Sequence, residues 1–393
     1  MKESITDMLI SKKKNLYSTL FMISYSLFLI YSLVGHIPQF TTVLKLGTYV
    51  GIGLFLINFF LQHSHSSSKK LVLYIVLMLL SLVQAYFSES YVLFKLMLFA
   101  SAIKEVKFKD IIRHDMYLRA SLIIIVVVLC QLGIAADDVH VYGNIARHSM
   151  GFTNPNTLGI AVFVLVCDIL YINSMKLKWG GYLLITTITA WLYIMARCRT
   201  AVYGIIVLVL ISFIYRVRPR LFSSSLAKYI YVLTPIVLTI ITFITVHGYL
   251  NNQSWALEIN DLLSGRVRSI ANFVQRFTPT FFGQNMHATW DKTLDNTYAY
   301  VLYDLGIFVF MLFFASYFVL IKRNIKSDVS LCILFWAFMV YGLSEHLWCH
   351  IDYNVFVISL AYSLVDKPIV LSVNSRKDHV INSGDNYLRK RRI

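Results

Sequence analysis

Hydrophobic positions in this chain fall in long unbroken runs, and the short periods of half-buried strands or surface helices are largely missing. About twelve runs approach the ~20 residues that a helix needs to cross a bilayer core. They lie near 17–35, 42–62, 71–87, 89–103, 117–135, 157–175, 180–196, 200–216, 229–250, 298–321, 329–347 and 352–366. Such runs predict an all-α polytopic membrane protein with about 12 transmembrane helices, because a helix satisfies its own backbone in hydrocarbon. No Gly/Ser linker, low-complexity tract or internal repeat divides the chain, so a single integral membrane domain over 1–393 is expected. Two connections are long, 136–156 and 251–297. In the second, Leu263, Val267, Ile270, Val274 and Phe277 recur at 4-3-4-3 spacing, which predicts an amphipathic helix lying over the bundle.

Composition agrees with this pattern. Of 393 residues, 58% are hydrophobic and only 14% charged, against roughly 45–50% and 25% in soluble domains. Lys and Arg outnumber Asp and Glu by 36 to 20, a net charge of +16. In a soluble chain that would suggest nucleic acid. Here the placement of the positives decides otherwise. With the N-terminus inside, twenty-six fall on cytoplasmic segments and seven outside, while Lys45, Lys95 and Arg119 lie within runs. The positive-inside rule then predicts that both termini are cytoplasmic, the second as a basic tail over 367–393, and no nucleic-acid partner is expected. The five cysteines fit no CxxC or zinc spacing, so neither a structural metal nor a disulfide framework is indicated. Asp168 and Lys95 are expected to pair or to act as polar glue between helices.

The seven outer positives (Arg147, Arg197, Arg199, Arg266, Arg268, Arg276 and Lys292) run against the insertion bias. Arginines kept there are candidates for gripping an anion, since guanidinium stays charged and can bind phosphate bidentately. Arg147-His148 precedes Gly151-Phe152-Thr153-Asn154-Pro155-Asn156, where either Asn can cap the following helix and Pro155 suits its first turn. A well-made helix start accounts for Asn-Pro-Asn but not for Arg147 and His148. Arg197-Cys198-Arg199-Thr200-Ala201 forms a tight outer turn, where snorkelling to headgroups is the simpler alternative. Ser264-Gly265-Arg266-Val267-Arg268 opens the amphipathic stretch, and its arginines also suit a wet helix face. Further on come Gly283, Asp295-Asn296-Thr297-Tyr298, Asp304 and Gly306, then Glu345-His346 near the outer end of the next run. Ionisable groups in or beside spans are functional candidates.

The order of these motifs resembles the bacterial O-antigen and capsule repeat-unit polymerases (Wzy-type), which share a superfamily with the O-antigen ligases. Arg147, Gly151 to Asn156, Arg199-Thr200-Ala201, Ser264-Gly265-Arg266, Gly283, Asp295 to Tyr298 and Gly306 carry the likeness, over roughly 140 to 310. The ligases place His before an Asn-type residue (Asn, Ser or Gln), followed by nine residues and then Gly. Here Asn296 and Gly306 keep that spacing, while Asp295 stands in the His position.

The resemblance implies a GT-C-like membrane glycosyltransferase in the bacterial cytoplasmic membrane, working without metal or other cofactor. Its donor and acceptor would be undecaprenyl-diphosphate-linked oligosaccharides, and its associates a flippase and a chain-length regulator of the same pathway. Residue chemistry suits such a reaction. Arg147, Arg199 and Arg266 could stabilise a departing diphosphate, and Asp295, Glu345 or His346 could serve as general base. His148, Asn154, Asn156, Arg197, Arg268, Asn296 and Tyr298 are the candidate substrate-binding residues. Two alternatives stand beside the polymerase. One is a ligase of the same superfamily, which Asp295 disfavours. The other is a flippase or transporter, which would favour paired broken spans and charges at mid-membrane.

Overall fold

The computed structural model describes residues 2–63, 68–103, 106–142, 145–286, 294–347 and 350–365. The basic tail at 367–393 and part of the long loop, 287–293, lie outside the described residues. The chain is a helical bundle. Its elements in order are α1 (Lys2–Val34), α2 (Pro38–His63), α3 (Ser68–Ser88), α4 (Val92–Ser101), α5 (Phe108–Gln131), β1 (Val139–Tyr142), β2 (Ile145–His148) and α6 (Pro155–Ile172). There follow α7 (Trp179–Ala196), α8 (Arg199–Val217), the single turn α9 (Pro219–Phe222), α10 (Ser225–Leu250), α11 (Ser254–Leu262) and α12 (Arg266–Val274). The last are α13 (Thr297–Tyr300), a π turn (Val301–Leu305), α14 (Ile307–Asn324), α15 (Val329–Tyr341) and α16 (Val357–Val365).

Among the described residues, eight helices are long and apolar enough to cross a membrane: α1, α2, α3, α6, α7, α8, α10 and α14. The chain is therefore an all-α multi-pass membrane protein. Four of the expected runs form shorter or more charged helices. α4 has 10 residues, α15 has 13 and α16 has 9, while α5 carries Lys109, Asp110, Arg113, Asp115 and Arg119 in its first half.

The arrangement around α6 follows from its composition. Nearly every residue from Leu158 to Val166 is buried, as expected of a helix that is apolar on all sides and sits inside a bundle. Its neighbours α5, α8 and α15 surround it, and glycines set the closest approach. A Cβ on Gly159 would lie 3.0 Å from both Ala201 and Cys198, and one on Gly204 would meet Phe163 and Tyr341. In contrast α2, α3, α7 and α10 leave rows of Leu, Ile, Val and Phe exposed, the surface a bilayer would cover.

Two expectations are corrected. Asp168 and Lys95 do not pair. Lys95 reaches Asp352 at 2.9 Å, and Asp168 belongs to a fully buried cluster on α1, α5 and α6. In it Arg119 grips Asp115 through two bonds of 2.9 and 3.0 Å, Tyr25 donates to Asp115, and Asp168 approaches the guanidinium at 4.0 Å. The reason is helical spacing. Asp115 and Arg119 sit four residues apart on one face of α5 and complete each other locally. The second correction concerns the 136–156 connection, which is not purely helix and loop. Val139–Tyr142 pairs antiparallel with Ile145–His148, His140 opposite Arg147. Alternating Val139 and Val141 ahead of Gly143-Asn144 was the available hairpin signal.

Candidate functional site

Five segments meet at one end of the bundle: the hairpin with the start of α6, the α7–α8 turn, the α11–α12 corner, the start of α13 and the end of α15. Each is shaped by identifiable local chemistry. Asn154 is the cap of α6, its side chain accepting from the Thr157 N–H at 2.9 Å with Pro155 in the first turn. Asn156, the next polar residue, accepts from Arg147 Nη2 at 2.7 Å and fixes that guanidinium over the helix start. The α7–α8 turn is closed by Arg197 in a left-handed conformation and by the buried Cys198, whose thiol donates to the Pro155 carbonyl. That turn is thus bolted to the start of α6, leaving Arg197 and Arg199 exposed on either side of it.

The predicted amphipathic stretch is the helix α12, entered from α11 through a sharp corner. Ser264 and Gly265 both have positive φ, 57° and 84°, and the Asn260 side chain caps the second helix by accepting from the Arg268 N–H. The corner directs Arg266 inward. Its Nη2 donates to Glu345 Oε1 at 2.8 Å, its Nε lies 3.9 Å from Asp295 Oδ2, and its side chain is only 14% exposed. Arg199 reaches the same corner from the other side, Nη2 donating to Ser264 Oγ at 2.8 Å.

Asp295 and Glu345 come from connections flanking the α13–α15 region. Asn296 caps α13, accepting from the Ala299 N–H and donating to the Leu343 carbonyl, both at 3.0 Å. Thr297 donates through its hydroxyl to the Glu345 carbonyl, and its N–H bonds to the Gly342 carbonyl. These bonds hold the turn after α15 against the start of α13. Glu345 is thereby buried beyond the end of its helix while Asp295 stays 37% exposed beside it. His346 Nδ1 is 4.0 Å from Asp295 Oδ1, and its ring lies tilted against Tyr300 and edge-on to His350, each at 5.0 Å.

Electrostatics follow from this packing. Burial pushes the Glu345 carboxyl up to about 8; the nearby Asp295 charge acts the same way, and Arg266 and Arg147 oppose it. Below that pH the carboxyl keeps its proton, and the Arg266 charge is met by Asp295 at 3.9 Å. Asp137 behaves in the opposite sense. Its partial burial would raise it, but the His148 ring at 2.7 Å and the Met150 N–H hold it below the usual range.

The sequence candidates therefore divide. Arg147, Asn156, Arg199, Arg266, Asp295, Glu345 and His346 gather at this end of the bundle. Asn154, Asn296 and the buried Tyr298, whose hydroxyl donates to the Met339 carbonyl, have their polar groups engaged in building the scaffold. His148 braces the hairpin through Asp137. Arg268 is exposed on α12, and Arg197 lies on the far side of α8 from Arg199, with its guanidinium over the Tyr193 ring at 5.0 Å.

Sequence reasoning missed the cavity beneath the arginines. A space of about 330 Å³ lies between α8, α15 and the α11–α12 corner. Arg199, Ser264 and Arg266 line its polar end, and Tyr203, Val207 and Trp336 its apolar walls. Tyr203 and Val207 are also on the exposed flank of α8, so the cavity is continuous with the surface facing lipid. Helix periodicity carries part of this: Arg199, Tyr203 and Val207 are each four apart.

Fold and site together define a class: a polytopic helical membrane protein with an arginine-rich, carboxylate-braced site at the end of a lipid-facing cavity. Comparison with protein-family models, curated proteins and solved structures gives no match to this chain.

Proposed function

We propose that the protein is a repeat-unit polymerase of the kind its motifs resemble, joining polyprenyl-diphosphate-linked oligosaccharides by glycosyl transfer at the outer face of the bacterial cytoplasmic membrane. The observation that carries this reading is the pairing of Arg199 and Arg266 at the mouth of a lipid-facing apolar cavity, with two carboxylates alongside. A substrate with a long apolar tail, an anionic linkage and a sugar head needs those three environments in that order. On this reading the helices form a GT-C-like bundle of about twelve membrane segments, with α4, α5, α15 and α16 completing the eight longer ones. Both termini are cytoplasmic, from the charge asymmetry of the loops.

The chemistry follows from the residues. The acceptor hydroxyl attacks the anomeric carbon of the donor chain, forming the new C–O bond as the bond from that carbon to the phosphate oxygen breaks. The electron pair leaves with the lipid diphosphate, and Arg266 and Arg199 stabilise its developing charge, with Arg147 behind them. The proton from the attacking hydroxyl goes to Asp295, the more accessible carboxylate, with His346 beside it. Glu345 acts as a positioning residue that aims Arg266. A flippase would supply the units, and a chain-length regulator would limit their number.

The test is mass analysis of lipid-linked glycans in a strain lacking the protein. Single repeats on lipid, with polymer absent, are the expected result. Polymer of normal length and distribution would overturn the proposal.

A further inference from the structure

A second groove runs along the other flank of α8. It has a volume of about 520 Å³ and lies between α7 and α8. Its α7 wall is Thr186, Thr189, Ala190 and Tyr193, one helical face at spacing 3-1-3. The hydroxyls of Thr186 and Thr189 bond back to the carbonyls of Tyr182 and Ile185, so they present a small and largely apolar surface. Opposite them, Val202, Ile206 and Val209 form the α8 wall, and Tyr203 stands between this groove and the Arg199–Arg266 cavity, lining both. Along α8 the groove covers about 12 Å at 1.5 Å per residue, a large fraction of one leaflet's hydrocarbon depth.

A cation stands just past the groove's end near the site. Arg197 lies over Tyr193 at that end, and among the described residues no carboxylate pairs with it. The residue also holds a left-handed backbone, φ 51° and ψ 33°. That is a position where helices ordinarily end on Gly or Asn, and here it turns the chain sharply into α8. Arg197 and Arg199 are two residues apart, and the bolted Cys198 between them sends one to each side of α8.

We propose that the α7–α8 groove is the seat of a second polyprenyl-phosphate lipid, its tail against Ala190 and Ile206 and its phosphate on Arg197, with α8 as the partition from the first. The inference rests on the polymerase reading, in which two lipid-linked substrates meet in one reaction. The arginines at the head of α8 then place two phosphates at one end of one helix, so the two sugar heads project into the same space. The anionic headgroup of a bulk bilayer lipid shares the phosphate chemistry, and the experiment separates it.

The experiment is native mass spectrometry of the full-length protein with undecaprenyl diphosphate as probe and phosphatidylglycerol as competitor. Wild type is expected to hold two probe molecules that phosphatidylglycerol does not displace. Ala190→Trp and Ile206→Trp fill the groove from its lipid-exposed side, away from the core, and each is expected to leave one. Arg197→Gln should weaken the second binding step about tenfold or more, while Arg266→Gln should affect the other step. Two molecules retained in both Trp variants would overturn the inference, as would equal displacement by phosphatidylglycerol. A wild type that binds one molecule, lost in Arg266→Gln alone, would remove this second site and leave the polymerase reading intact. No binding at all would remove both.

Discussion

Arg266 donates to Glu345 at 2.8 Å across 79 residues of sequence, and that bond joins the corner between α11 and α12 to the turn after α15. A guanidinium held by the buried Glu345 carboxyl group on one side presents its remaining N–H groups to the cavity in a fixed orientation. On the proposed polymerase reading, Arg266→Gln should lower polymer formation by about 10²–10³-fold, the usual loss when one transition-state donor is removed. Arg266→Lys should recover little, because an ammonium lacks the fork geometry. Polymer yield measured at matched protein level checks both. Normal yield in Arg266→Gln would remove the residue from the reaction.

The raised Glu345 carboxyl predicts how anion binding depends on pH. Below about 8 the carboxyl is protonated, and the positive charge of Arg266 is faced by Asp295, 3.9 Å from its Nε. As pH rises through about 8 the Glu345 carboxylate forms and adds a second negative charge beside the guanidinium. Affinity for undecaprenyl diphosphate should therefore fall from pH 7 to pH 9, and Glu345→Gln should flatten that fall. Titration of lipid binding across this range is the measurement. A profile in Glu345→Gln that drops as steeply as wild type would assign the effect to another group.

Gly283 and Gly306 meet where the long loop crosses the head of α14. Gly306 has φ 97° and ψ 167°, a region closed to residues with a side chain. A Cβ there would run into the Gly283 backbone nitrogen and the Phe281 carbonyl. Gly306→Ala should cost at least about 1–3 kcal/mol from the backbone alone, and the overlap adds to this. The helical Gly53, with nothing within 4 Å of its would-be Cβ, is the control. Gly53→Ala should be neutral or stabilising by about 0.5–1 kcal/mol. Thermal unfolding in detergent compares them, and equal stability of the two variants would contradict the account.

Arg119, Asp115 and Asp168 are fully buried, with Arg119 bonded to Asp115 on two edges. Arg119→Met leaves two buried carboxyls without their cation and should cost about 3–5 kcal/mol. Lys95→Met breaks a partly exposed pair, whose side chains are 33% and 18% accessible. It should cost no more than about 1 kcal/mol. The same unfolding assay ranks the two, and a smaller loss for Arg119→Met would show that the cluster does not tie α1, α5 and α6 together.

Several of these relationships were readable in the residues. Asn154 as cap, the apolar run that becomes α6, and the Arg–Cys–Arg turn are local matters of spacing and propensity. The α11–α12 corner was half legible. The 4-3-4-3 spacing indicated a helix, but Ser264-Gly265 breaks it, because two successive left-handed residues cannot continue a right-handed helix. The β hairpin was missed because the surrounding apolar runs outweighed four alternating positions. Asn296 and Tyr298 looked like ligand contacts in sequence. In the fold their polar groups bond to the Leu343 and Met339 carbonyls, partners more than 40 residues away that no local pattern predicts.

The sequence by itself determined that this chain is a multi-pass helical membrane protein, since the free energy of placing apolar runs in hydrocarbon depends on composition and length alone. It also singled out arginines placed against the topological rule. Tertiary structure decided which of them lie together. Arg266 faces Glu345 and Asp295, Arg199 shares its cavity, and Arg197 turns to the opposite side of α8. The tertiary structure also exchanged the expected partner of Lys95 for Asp352 and gave Asp168 to Arg119. Charge pairing in a low-dielectric interior depends on distances of a few ångströms, and those are set by how helices pack around α6.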